Sequence, residues 1–294
     1  MSKDVRLGDL MTEEKSGDEV VQLIGFPSDE GVKINGGRPG ASKAPALIFE
    51  QLKKLTPHAE YFDSHTELLK RTAGFTYVLC TGNVEKDQQK LGEFVASTLE
   101  NNQIPVILGG GHETSFGHFL GYAKAGKEVS ILNIDAHTDV RDLKNGRAHS
   151  GSPFKQALEH SSGLCKSYHV FGLNPASVSK EHLEFVQKNG SAVFEQNITK
   201  KAVLNRLSEC SSSVMVTMDM DVVSQSQAPG VSAPNASGIS SDLWLDLAFE
   251  FGKNLGVTSF DLCEVNPEYD RDYQTVKLAA LTTWYFLLGV SLRD

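Results

Sequence analysis

The sequence predicts an α/β protein with three layers, helices on both faces of a mostly parallel central sheet. Two observations predict it. Short β-rich runs recur along the 294 residues and end repeatedly in polar residues, and helix-like stretches separate them. A strand, helix, strand rhythm sets the strands side by side in parallel and leaves the crossover helices to cover both faces. With 40% hydrophobic residues the chain can bury a sizeable core, and one domain over residues 1–294 is expected.

The elements follow in order. VVQLIGF (20–26) and TYVLC (76–80) are the first candidate strands. VEKDQQKLGEFVASTLENN (84–102) reads as an amphipathic helix, because Leu91, Val95 and Leu99 recur every four residues among charged and polar neighbours. IPVILGG (104–110), VSILNID (129–135), SYHVFGL (167–173) and SVMVTMD (213–219) continue the sheet. DLWLDLAFEFGKNL (242–255) is a second amphipathic helix, with Trp244, Leu247 and Phe251 on one face, and VTSFDLCEV (257–265) is the last strand.

Charge narrows the function. The chain carries 28 basic and 37 acidic residues, net −9, with no long basic tract, so neither nucleic acid nor an anionic membrane is an expected partner. The first twenty residues are polar and lack the apolar core of a secretory signal. The longest apolar-rich run, TTWYFLLGV (282–290), is far shorter than the ~20 residues that span a bilayer, so a cytoplasmic protein is expected. Cys80, Cys165, Cys210 and Cys263 form no CxxC pair and read as buried thiols, Cys263 being the one beside a candidate site.

In open α/β sheets ligands bind beyond the carboxyl ends of the strands. His112, Asp135, His137, Asp139, Asp219 and Asp221 all fall there, as does Glu264. Gly109, Gly110 and Gly111 give the chain a tight exit before His112. Two imidazoles and four carboxylates, without a thiol, suit a divalent transition ion such as Mn²⁺, and four negative charges match two such ions. Asp135, His137 and Asp139 alternate, as do Asp219 and Asp221, so each set faces one way if its segment is extended. A lone strand-end aspartate is more often a helix cap or turn residue. Carboxylates packed as DxHxD and DxD repel one another and need a cation to coexist.

These residues carry a resemblance. GGGHE (109–113), DAHTD (135–139), MDMD (218–221) and EVNP (264–267) resemble, in order and spacing, the four motifs of the ureohydrolases, the arginase and agmatinase family, over roughly residues 20 to 290. The resemblance implies an arginase-like fold and two Mn²⁺ ions. His112, Asp135, Asp139 and Asp219 would hold one ion and Asp135, His137, Asp219 and Asp221 the other, with Asp135 and Asp219 bridging. It implies hydroxide attack on a C=N carbon, Asp139 orienting the hydroxide and Glu264 facing the amidine or guanidine. It also implies a homo-oligomer, a trimer or hexamer.

The loop after DAHTD bears on the choice of substrate. Arg141 stands where arginases typically carry a neutral asparagine, and an arginine there can grip a carboxylate bidentately. With Arg147 it argues for a small anionic amidino acid, whereas Lys144 and Lys155 read as solvated. In HSGSPF (149–154) the residue before Gly151 is Ser150, where arginase and agmatinase place a proton-shuttling histidine, and His149 lies one position earlier. The SGSPF run resembles the formimidoylglutamase branch, whose substrate is N-formimidoyl-L-glutamate. His149 is the candidate proton donor, with Asp139 or water in reserve, and Ser150 a candidate substrate contact. Asn174 is a weaker candidate for the pocket wall. Arg38, in NGGRPGASKAPALI (35–48), could meet a carboxylate or simply hold a loop, and His118 and His169 read as structural. The alternatives are a hydrolase that releases urea from guanidinobutyrate, arginine or agmatine, and a non-catalytic binding protein of the same fold.

Overall fold

A computed structural model describes residues 4–11, 17–210 and 213–293. Its sheet contains β1 (Val21–Phe26), β2 (Thr72–Tyr77), β3 (Ile104–Gly109), β4 (Val129–Ile134), β5 (Cys165–Leu173), β6 (Gly190–Phe194), β7 (Ser213–Asp219) and β8 (Val257–Cys263). They lie in the order β2-β1-β3-β8-β7-β4-β5-β6, and every pairing is parallel. β1, β3 and β4 are buried at every residue, as strands must be when helices cover both faces.

The strand order positions the site. β3, β8, β7 and β4 are the four central strands, so their carboxyl ends, which carry His112, Glu264, Asp219 and Asp135, lie side by side. Sequence separations of more than a hundred residues collapse to neighbouring strands.

The helices have local causes. The Asn83 side chain accepts from the Lys86 amide and caps Val84–Glu100, and Ser240 does the same for Ser241–Lys253 through the Leu243 amide. Helix Gln274–Val290 packs backbone to backbone on Ser241–Lys253. A Cβ on Gly252 would sit 2.1 Å from the Phe286 carbonyl oxygen, and one on Gly289 2.2 Å from that of Phe249. On the other side Phe286 stacks on Phe260 of β8, ring centres 4.4 Å apart, a burial worth ~1.5–3 kcal/mol for each ring.

Two strands differ from expectation. β2 lies at Thr72–Tyr77 rather than 76–80, because pairing with β1 ends at Tyr77 opposite Gly25. Val78 is buried by packing, Leu79 is exposed, and Asp87 then captures the Thr81 and Gly82 amides to start the helix. β6 is an additional strand at the sheet edge, half-buried throughout, and its Gly-Ser-Ala start carries no β signal. Among the described residues no helix is long and apolar enough to cross a membrane.

Candidate metal centre

The chain leaves each central strand by a bend. At the end of β3, Gly109, Gly110 and Gly111 do not take left-handed backbone, and what they supply is room: a Cβ on Gly110 would lie 1.9 Å from the Ser28 carbonyl oxygen. After β4 the segment 135–139 is bent rather than extended. The His137 amide donates to Asp135 Oδ1 at 2.7 Å, and Asp139 takes φ +47°. After β7 a 3-10 turn, Met220–Val222, brings the Asp221 amide to 2.8 Å from Asp219 Oδ1. The alternating acids therefore converge through turns, not through strand pleat. Glu264 leaves β8 with φ +64°, and such left-handed backbone at non-glycine residues costs of order 1–3 kcal/mol each.

The side chains meet in two groups. His112 Nδ1 lies 2.9 Å from Asp139 Oδ2, 3.0 Å from Asp219 Oδ2 and 3.3 Å from Asp135 Oδ2. His137 Nδ1 lies 3.1 Å from Asp221 Oδ2 and 3.5 Å from Asp135 Oδ1. His112, Asp135, Asp139 and Asp219 are thus placed to hold one ion, and Asp135, His137 and Asp221 another. Asp219 falls in the first group only, whereas the sequence reading has it bridge both.

Electrostatics argue for a cation. Burial, and next the charges of Asp221 and Asp135, push the Asp219 carboxyl well above its ordinary range. Burial pushes Asp221 up to about 6, although His137 opposes the shift. Burial also opposes protonation of His112, but the Asp219 charge and three carboxylate contacts hold its pKa well above normal. There is more negative charge here than two imidazoles neutralise. Asp221 Oδ1 is also buried without a hydrogen-bond partner, and the donors are oxygen and imidazole nitrogen throughout, so the residues fit a divalent ion of the manganese type.

A third group, His112, Asp261 and Cys263, is already satisfied internally. Asp261 accepts from Thr217 at 2.6 Å, Cys263 at 3.3 Å and Ser115 at 3.2 Å, and lies 2.7 Å from His118 Nδ1. Burial, and next the Asp261 charge, push the Cys263 thiol far up, which disfavours its thiolate. His118, for which the sequence offered no partner, is paired with Asp261.

Above the acids opens a cavity of about 240 Å³. Arg141 and Ser150 line it with His137, Asp139, Asp219, Asp221 and Glu264, and so do Asn35 and Arg38. Burial, then Asp219, pushes the Glu264 carboxyl well up, while its Oε1 accepts from the His112 amide at 2.8 Å. Asn35, not singled out in the sequence reading, links Ser150 (3.1 Å) to Arg141 (3.4 Å).

Three expected site residues lie elsewhere. Arg147 turns outward and pairs with Glu85 at 2.9 Å. Asn174 donates to Asn235 and accepts from the Ala176 amide, which uses its side chain within the loop. His149 is buried, with Nε2 2.9 Å from the Asp142 carbonyl and Nδ1 accepting from the Gly151 amide at 3.1 Å, so its own loop takes both ring nitrogens. Lys144 and Lys155 also lie off the cavity, bonded to the Ile34 carbonyl and to Asp142.

The chain is similar to known proteins over nearly its whole length. The chain is 35% identical over 288 residues to formimidoylglutamase of Geobacillus sp. (strain WCH70), covering 94% of this chain and 85% of the relative. It is 34% identical over 273 residues to that of Rhodococcus opacus (strain B4), covering 88% and 82%. Among solved structures, Trypanosoma cruzi formiminoglutamase with Mn²⁺ superposes with a TM-score of 0.91 at 29% identity, covering 99% of this chain and 100% of that one. The sequence model of the arginase family matches residues 19–289, and the chain belongs to the arginase family.

Proposed function

We propose that this protein is a binuclear manganese hydrolase that cleaves N-formimidoyl-L-glutamate to L-glutamate and formamide. Family membership and the named relatives support the class, a hydrolase of C–N bonds in amidines. The observation that carries the substrate is Arg141. It lines the cavity two residues beyond Asp139 and has no carboxylate partner among the described residues. Its permanent charge favours an anionic tail and disfavours the cationic tail of agmatine.

On this reading His112, Asp135, Asp139 and Asp219 hold one ion, and Asp135, His137 and Asp221, with Asp219 adjacent, the other. Bound manganese supplies Lewis acidity and an ionised water at neutral pH. Glu264 accepts an N–H of the amidinium and fixes the reacting carbon. The water oxygen bonds to that carbon, the C–N bond to glutamate breaks with its electron pair staying on nitrogen, and a proton must reach the departing α-amine. Asp139 is the group to carry it, since its side chain is 12% exposed against 0–6% for the other three aspartates.

The test is to offer the manganese-loaded protein N-formimidoyl-L-glutamate, arginine, agmatine and guanidinobutyrate separately, following glutamate and urea. Glutamate from the first compound alone is expected. Urea from any of the others overturns the substrate.

A further inference from the structure

Arg38 lies in the segment Gly36-Gly37-Arg38-Pro39-Gly40, 103 residues before Arg141, yet both line the same cavity. Its side chain is held at three points. Its Nε donates to the Ser232 carbonyl at 2.9 Å, one terminal nitrogen donates to the Val231 carbonyl at 2.6 Å, and its guanidinium carbon sits 4.0 Å over the Tyr269 ring centre. The backbone is tied as well. The Arg38 amide donates to Ser232 Oγ, and Asn266 Nδ2 donates to the carbonyls of Arg38 and Pro39. A guanidinium has five N–H groups and these contacts use two. The other terminal nitrogen has no partner, and no carboxylate pairs with Arg38, among the described residues.

A residue that only tied two carbonyls together would not need a permanent charge at the edge of a cavity. Arg38 and Arg141 are the two arginines lining that cavity, and no lysine joins them. We infer that Arg38 is a second carboxylate clamp, so that Arg38 and Arg141 each take one carboxylate of a dicarboxylic amidino acid. The inference rests on the substrate reading above and deepens it: one clamp suffices for arginine or guanidinobutyrate, whereas two select a substrate with two carboxylates. A guanidinium already fixed in place loses little freedom on binding, so its contacts discriminate efficiently.

The test removes one carboxylate at a time. N-formimidoyl-γ-aminobutyrate lacks the α-carboxylate, and N-formimidoyl-L-2-aminobutyrate lacks the side-chain one. The wild-type protein should lose about 10–100-fold in kcat/KM with each, the range of a charge-assisted hydrogen bond. Arg38→Gln keeps a donor for the loop carbonyls but not the charge. It should lose a similar factor on the full substrate, pay almost nothing further for one missing carboxylate and the full penalty for the other. Arg141→Gln should show the reverse pattern. Binding of the product L-glutamate, followed by calorimetry, should weaken by a comparable factor in each variant.

Full penalties for both analogues in Arg38→Gln overturn the inference. If that variant is unfolded, Arg38→Lys, which keeps the charge without the fork, should show the penalty for one carboxylate reduced, and wild-type penalties there overturn it equally. A wild-type protein that leaves all three compounds intact removes the substrate reading and this inference together. Turnover of the full substrate with an undiscriminating Arg38 removes this inference alone.

Discussion

His112 Nε2 lies 2.9 Å from Thr217 Oγ1, and this contact makes Nε2 a donor. Thr217 has one proton, and its hydroxyl donates that proton to Asp261 Oδ1 at 2.6 Å. Asp261 stays an acceptor because, although burial opposes ionisation, the His118 contact and charge hold its carboxyl below the ordinary range. The hydroxyl must therefore accept from His112 Nε2, so Nδ1 is the nitrogen that faces the acids and would bind a metal ion on giving up its proton. Partners of this kind typically contribute ~10–100-fold to metal affinity. Thr217→Val, nearly equal in volume, should weaken manganese retention by that factor, and Thr217→Ser should restore it. Metal content after dialysis against graded manganese, with melting temperature of the metal-free protein as control, checks this; equal retention by all three proteins contradicts it.

How much of this was legible in the sequence varied with the physics. The acids and histidines that converge in the candidate metal centre all stand in motifs visible in the sequence, because strand ends, motif spacing and charge crowding are local properties of the chain. The support beneath it was not legible. His118, Thr217 and Asp261 come from three separate segments and meet only because β7 and β8 are adjacent, with Thr217 opposite Asp261 in register. The basic loop was half legible. Arg141 and Arg147 have the same chemistry, and which one faces the cavity depends on Glu85, far away in sequence, which accepts from Arg147 and from the Ala148 amide. The edge strand β6 was missed because a half-buried edge needs little apolar patterning.

Arg141 and Arg147 should therefore behave differently. Arg141→Ala should raise KM for N-formimidoyl-L-glutamate about 10–100-fold with a smaller change in kcat. Arg147→Ala should leave KM unchanged within about twofold and the melting temperature almost unmoved, as its pair with Glu85 is exposed. Steady-state kinetics on both variants decide, and a KM effect at Arg147 as large as that at Arg141 would argue for a rearranged loop.

His149 was the expected proton donor, and its hydrogen bonds say otherwise. The Gly151 amide can donate only to an unprotonated Nδ1, so Nε2 carries the hydrogen and gives it to the Asp142 carbonyl. A ring spent on its own loop is not free to exchange protons with substrate. His149→Asn should lower kcat less than about tenfold, whereas loss of a general acid costs ~10²–10⁴. The variant should instead melt earlier. A kcat loss beyond a hundredfold, with the melting temperature unchanged, would return His149 to catalysis.

Stability should also fall in mild acid, and His65 is one source. It lies in the helix Phe62–Lys70, fully buried, edge-on to Trp284 with ring centres 5.3 Å apart, and its Nδ1 accepts from the His58 amide at 3.2 Å. A proton on Nδ1 would break that bond and place an unpaired charge in the core. Burial, with a smaller contribution from His58, lowers its pKa from 6.5 to about 4. The unfolded chain therefore binds a proton near pH 6.5 that the folded one refuses until about pH 4, so this contribution is complete above pH 6.5 and is lost as pH falls between those values. The slope is about 1.4 kcal/mol per pH unit for one proton. His65→Asn keeps an acceptor for His58 and cannot be protonated. In urea unfolding across this range the difference between wild type and variant should change by that slope, the metal-site acids being common to both. Parallel stability curves would show that His65 protonates in the folded protein as readily as in the unfolded chain.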